Sequence, residues 1–171
     1  MTIREQTCCF TGHRRLPEVG RGMIESKAAL IIRDLYSKGV RFFRVGGALG
    51  FDTVAAQLLF KLRTSELTDI KISLLYPFDG FTASWTDKQN ALYAELLPQY
   101  DEVHCISKQN DSAAYLARNR ALADGSAYCV AYCGTPTGGA VLRIRCDMPW
   151  SKAFKSSIYI HRNLLIEQLL I

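Results

Sequence analysis

Two glycine-bearing loops about ninety residues apart constrain this chain more than any other feature: Val45-Gly46-Gly47-Ala48-Leu49-Gly50-Phe51-Asp52 and Gly134-Thr135-Pro136-Thr137-Gly138-Gly139-Ala140. The first stands where a strand-like run passes to helical spacing, and the second follows another strand-like run. In α/β folds that handover is where phosphates bind, because helix amino termini present N–H groups that have no partner within the helix.

The rest of the chain repeats the same alternation. Thr7-Cys8-Cys9-Phe10 reads as a first strand, and a helix over 21–38 puts Ile24, Ala28, Ile31 and Leu35 on one face before Gly39 stops it. Arg41 to Val45 is a second strand, and Val54, Leu58 and Leu62 mark a helix over 50–63. Ile70 to Tyr76 is a third strand, followed by a helix over 85–97 with Ser84 as its N-cap and Pro98 at its end. Asp101 to Ile106, a helix over 113–123, and Ala127 to Tyr132 complete the series, after which a polar stretch delays any further strand to about 158–160. Strands alternating with helices predict an α/β fold: a single Rossmann-like domain over 1–171, its mostly parallel sheet covered by helices on both faces.

A chain of 171 residues, 49% of them apolar, can bury the core such a domain needs. The formal charge of +5 favours anionic ligands but falls short of the dense basic runs of a protein that coats nucleic acid. No leader opens the sequence and no apolar run approaches the roughly 20 residues of a membrane span, so the expectation is a soluble, cytoplasmic protein with no membrane partner. The six cysteines show neither CxxC nor Cys/His ligand spacing, which predicts small buried thiols and no metal site.

Chemistry is expected at the carboxyl ends of the strands. After the first strand, Thr11 can donate a hydroxyl, Gly12 lets backbone approach a ligand, and Arg14 or Arg15 can fork onto phosphate; a turn with solvated arginines is the other reading. In the first glycine loop, Gly46 and Gly47 remove side chains where N–H groups can face an anion, and Gly50 keeps the helix entrance close. Asp52 either bonds a ribose hydroxyl or complements the helix dipole. Trp85 either stacks on a base or packs the helix entry, and Arg118 with Asn119 resembles polar groups aimed at a ligand edge.

These segments, with Pro77-Phe78 before Trp85, Arg118-Asn119-Arg120, and Thr135-Pro136-Thr137-Gly138-Gly139, together resemble the YpsA-type branch (DUF1273) of the SLOG superfamily over about 7–140. The resemblance implies a Rossmann-like domain related to DprA and to the LOG proteins, binding a nucleotide or a nucleotide-derived ligand such as NAD or ADP-ribose. The ligand site would use Gly46, Gly47, Gly50, Gly138 and Gly139. No cofactor beyond such a ligand is required. Two departures stand out: Asp79-Gly80-Phe81 replaces the family's usual Glu-Asn-Gln run, and the chain diverges over 140–171.

Three classes of function follow. The first is a binding module for a small nucleotide-derived ligand, with a sensing role. The second is a LOG-like phosphoribohydrolase, but positions 140–146 supply no carboxylate to activate water, leaving Asp52 as the substitute. The third is DprA-like binding of single-stranded DNA along Arg14, Arg15, Arg41, Arg44 and Lys88, with Trp85 or Phe81 as stacking platforms. The apolar residues Leu164-Leu165-Ile166 and Leu169-Leu170-Ile171 either pack on the domain's own sheet or support a homo-oligomer.

Overall fold

The computed structural model describes residues 1–133, 157–162 and 165–169. Five parallel strands form its centre: β1 (Thr7–Gly12), β2 (Phe42–Val45), β3 (Lys71–Tyr76), β4 (Glu102–Cys105) and β5 (Tyr128–Cys133). They lie in the order β4-β3-β2-β1-β5, and the antiparallel strands β6 (Ser157–Arg162) and β7 (Leu165–Leu169) continue the sheet beyond β5. The expected Rossmann-like α/β architecture is what forms. The late strand expected near 158–160 is β6, and β7 pairs on the same sheet through its backbone.

β1 is the pivot. Thr7, Cys8, Cys9 and Phe10 are all buried, because helices cover both faces of the strand, and Cys8, Cys9 and Phe10 therefore follow one another without polar alternation. The helices are α1 (Arg21–Ser37), α2 (Phe51–Ser65), α3 (Asp87–Leu96) and α4 (Ser112–Asp124). The chain steps outward from β1 to β4 and then returns across the sheet to β5. Right-handed crossovers put the three outward helices on one face and the returning α4 on the other. Ile31 and Leu35 of α1, Leu59 of α2 and Leu96 of α3 accordingly pack with Phe10, Phe43, Ile72 and Val130, while Leu122 of α4 packs with Cys9 and Leu75. Each large side chain so buried contributes on the order of 2 kcal/mol of hydrophobic stabilisation.

Helix ends follow local chemistry. Gly39 takes φ +93° after α1, and its N–H and that of Val40 donate to the carbonyls of Tyr36 and Leu35, both at 3.0 Å, which is a Schellman stop. At α3 the expected cap is displaced by two residues. Thr86, not Ser84, is the N-cap: the Gln89 N–H donates to Thr86 Oγ1 at 3.4 Å and the Thr86 N–H donates to Gln89 Oε1 at 3.0 Å, a reciprocal capping box. Trp85 therefore precedes the helix. Asp111 caps α4 by accepting the Ala114 N–H at 2.9 Å.

The outermost parallel strand differs from the others. All four residues of β4 are exposed. Its start is pinned by Asp101, which accepts the Ile72 N–H at 2.9 Å and pairs with Arg63 of α2 at 2.8 Å and Lys71 of β3 at 3.1 Å. Among the described residues, no helix is long and apolar enough to cross a membrane.

Candidate functional site

In the order β4-β3-β2-β1-β5 the direction of chain progression reverses between β1 and β5, and open α/β sheets bind ligands outside the carboxyl ends of the strands at such a point. Thr11 and Gly12 end β1 there, and the second glycine run begins one residue after β5 ends at Cys133. That run, with Gly138 and Gly139, lies outside the described residues. The first glycine loop stands one strand away, between β2 and α2.

The geometry of that loop explains its glycines. Gly50 adopts φ +84° and ψ −123°, a combination open essentially to glycine alone, and any Cβ there would collide with the backbone of His13 and Arg14. The Phe51 N–H donates to the His13 carbonyl at 3.1 Å, so the loop after β1 and the loop after β2 are locked together. Gly12 completes the joint, since a Cβ on it would lie 2.7 Å from Phe51 Cβ. Gly47, at φ +68°, has no room for a Cβ either, which would sit 2.8 Å from Leu74 Cδ1.

Gly46 is where two buried charges converge. Arg118 reaches across from α4 and its Nη1 donates to the Gly46 carbonyl, while its Nε donates to Asn119 Oδ1 at 2.8 Å. Asp52 comes from the first turn of α2, and its Oδ2 accepts the Ala48 N–H at 3.3 Å. A side chain at Gly46 would strike both. Only 6% of each charged residue is exposed. Burial raises the Asp52 carboxyl above its ordinary value, against the pull of the Arg118 guanidinium, the Ala48 and Gly46 N–H groups and Arg14. Burial likewise lowers Arg118, which the Asp52 carboxylate counteracts. The Asp52 carboxylate is turned into its own loop, where it meets the Ala48 and Gly46 N–H groups.

The remaining residues line the rim. Arg14 is exposed, with its guanidinium carbon 5.7 Å from the Tyr115 ring centre and its charge felt at both Asp52 and Arg118. Thr11 is half-buried, and His13 lies edge-on to Tyr132 at 6.1 Å. On the other side Trp85 meets Phe81 and Tyr93 edge to face at 5.5 and 5.8 Å, and Tyr76 stacks on Phe81 at 5.7 Å. Phe81 and Tyr93 both come within 4 Å of where a Cβ on Gly47 would stand, so this half-buried aromatic wall borders the glycine loop. Tyr93 and Tyr115 were not among the sequence candidates. Tyr115 stands one turn before Arg118 on α4, a same-face spacing that points to it, whereas Tyr93 meets Trp85 only because the loop before α3 folds back onto that helix.

Among the arginines proposed as a polymer track, two stand elsewhere. Arg41 pairs with Asp69 at 2.9 Å and covers the Tyr36 ring at the amino end of β2, and Arg44 packs against Gly125. The cysteines also divide. Cys8 and Cys9 are buried as expected, whereas Cys129 is half-buried and Cys105 is exposed.

Comparison with known families agrees with this arrangement of loops and helices. The profile described as the YspA SLOG family, YpsA, matches residues 21–140. The chain belongs to the YpsA SLOG family. The matched span takes in the first glycine loop, Trp85, Arg118 and the second glycine run of this SLOG domain, and begins after β1. A UPF0398 protein of Shouchella clausii is 33% identical over 78 residues, 46% of this chain and 42% of that protein. A UPF0398 protein of Staphylococcus epidermidis is 27% identical over 84 residues, 49% of this chain and 44% of its own length. One of Enterococcus faecalis is 25% identical over 112 residues, 61% of each. The matches thus span between two fifths and three fifths of these relatives.

Proposed function

We propose that this SLOG domain is a binding module for a nucleotide or nucleotide-derived ligand, of the size and charge of ADP-ribose or NAD, with a sensing role. The observation that carries the reading is the position of the first glycine loop. It is held from below by Arg118 and Asp52, joined to the β1 loop through Gly50 and His13, and bordered by the aromatic wall of Tyr76, Phe81, Trp85 and Tyr93. A rigid glycine loop suits close approach of a phosphate. The aromatic wall suits a base, and the exposed Arg14 suits a charge-assisted bond to phosphate. Neither Asp52 nor Arg118 is asked for turnover in this reading, because both are spent on the loop.

Isothermal titration with ADP-ribose, NAD and AMP, run beside short single-stranded DNA at two salt concentrations, tests it. Saturable nucleotide binding that Gly47→Val abolishes is the expected result. Because Gly47→Val intrudes on Leu74, Arg14→Ala at the exposed rim serves as the second variant, with binding weakened roughly tenfold and the fold unchanged. Release of free base from a nucleoside monophosphate would replace this reading with the phosphoribohydrolase one. DNA binding that falls steeply with salt, without nucleotide binding, would replace it with the DprA-like one.

A further inference from the structure

We propose that Cys9 and Cys129 are a dithiol that a peroxide closes, reversibly, into a disulfide bridging β1 to β5. The two residues are direct partners in the parallel register of these strands. Both side chains lie on the α4 face, in one small cluster with Leu75, Leu122, Ile106 and Ala121. Adjacent strands stand about 4.8 Å apart, inside the Cα separation of about 4.4–6.8 Å that disulfides span. The bond therefore asks for a small inward shift of two neighbouring strands and no rearrangement of the fold.

Access and surroundings suit the chemistry. Cys129 is half-buried while Cys9 is only 3% exposed, so an oxidant meets Cys129 first and Cys9 waits behind it. The Cys129 S–H held against it draws the Cys9 thiol below its ordinary range; burial works the other way, Ser126 adds to the lowering, and the Asp52 charge opposes it. The Ser126 hydroxyl is buried beside Cys9.

The step balances with hydrogen peroxide as oxidant. The Cys129 sulfur attacks one peroxide oxygen, the O–O bond breaks, and the departing hydroxide takes the thiol proton as water, leaving a sulfenic acid. The Cys9 thiol attacks that sulfur as it gives up its proton, the S–O bond breaks, and the departing hydroxide takes that proton as a second water. Two thiols and one peroxide give one disulfide and two waters, and a dithiol reductant reverses it. The bridge would tie β1 to β5 two residues below Thr11.

Treatment of the folded chain with hydrogen peroxide, alkylation of remaining thiols, and tryptic mapping with fragmentation tests the proposal. The expected product is a Cys9–Cys129 linked peptide pair lighter by two hydrogens, lost on dithiothreitol treatment, absent in Cys129→Ala and retained in Cys8→Ala, Cys105→Ala and Cys133→Ala. The wild-type fragment map locates the bond independently of how any variant folds. A bond to Cys8 or Cys133, a link between two chains, or Cys129 recovered only as sulfinic or sulfonic acid would overturn it.

Discussion

Arg118, on α4, donates from Nη1 to the carbonyl oxygen of Gly46, seventy-two residues earlier in the chain, across the carboxyl end of the sheet. This contact couples α4, the one described helix on its face, to the glycine loop on β2, so the loop's shape depends on an element that folds against the other side of the sheet. Sequence-local rules describe each partner separately, and the pairing is a product of the crossover from β4 to β5.

Arg118→Ala should leave both the Gly46 carbonyl and the Asp52 carboxylate without their buried cation, lowering stability by about 3 kcal/mol. Arg118→Lys should restore only part of this, because an ammonium cannot serve Gly46 and Asn119 Oδ1 together as the guanidinium fork does. Urea unfolding of the three proteins measures the difference.

Asp52 sets a dependence on pH whose sign is determined by burial. Its carboxyl is raised in the folded chain and returns to the ordinary value of 3.8 on unfolding, so between the two values the folded state holds the extra proton. Stability from this group is therefore lost as pH rises from about the ordinary value through the raised one. The stability of Asp52→Asn minus that of the wild type should climb over the same interval, read from urea midpoints at successive pH values.

Asp101 works in the opposite sense. Burial pushes its carboxyl up, but the Ile72 N–H, Lys71 and Arg63 together hold it below the ordinary range. It contributes stability that is present above that range and lost as pH falls through its folded value. Asp101→Asn should cost about 1 kcal/mol at neutral pH and lessen the fall of stability in acid. Paired thermal melts at neutral and acid pH would show both effects.

Two glycine-to-alanine changes should differ in sign. Gly50→Ala forces a Cβ into the His13 and Arg14 backbone at a dihedral pair alanine avoids, costing about 3 kcal/mol and weakening nucleotide binding. Gly22→Ala, within α1 and with nothing near, should stabilise by about 0.5 kcal/mol. Chemical denaturation of both variants would decide it.

What was legible in the sequence is what short-range chemistry specifies. Ile31 and Leu35 announce the buried face of α1, Gly39 announces its stop, and the unbroken apolar run through Phe10 announces a strand covered on both sides. The cap of α3 was legible but misassigned, since Thr86 and Gln89 carry the capping-box spacing and Ser84 does not. The surroundings of Asp52 and Arg44 were not. Whether a first-turn acid faces a ligand or its own loop depends on Arg118 arriving from α4, and whether Arg44 faces solvent depends on Gly125 arriving beneath it.

The exposure of all four residues of β4 grades the sheet in time as well as in space. With every residue of the strand open to solvent, its backbone hydrogen bonds should open in local fluctuations well below the free energy of global unfolding, and its amides should exchange with deuterium ahead of the other parallel strands. β1 and β2, which carry Thr11, Gly12 and the glycine loop, should exchange last. The domain can fray at its outer edge many times over while the end of the sheet proposed to hold the ligand keeps its shape.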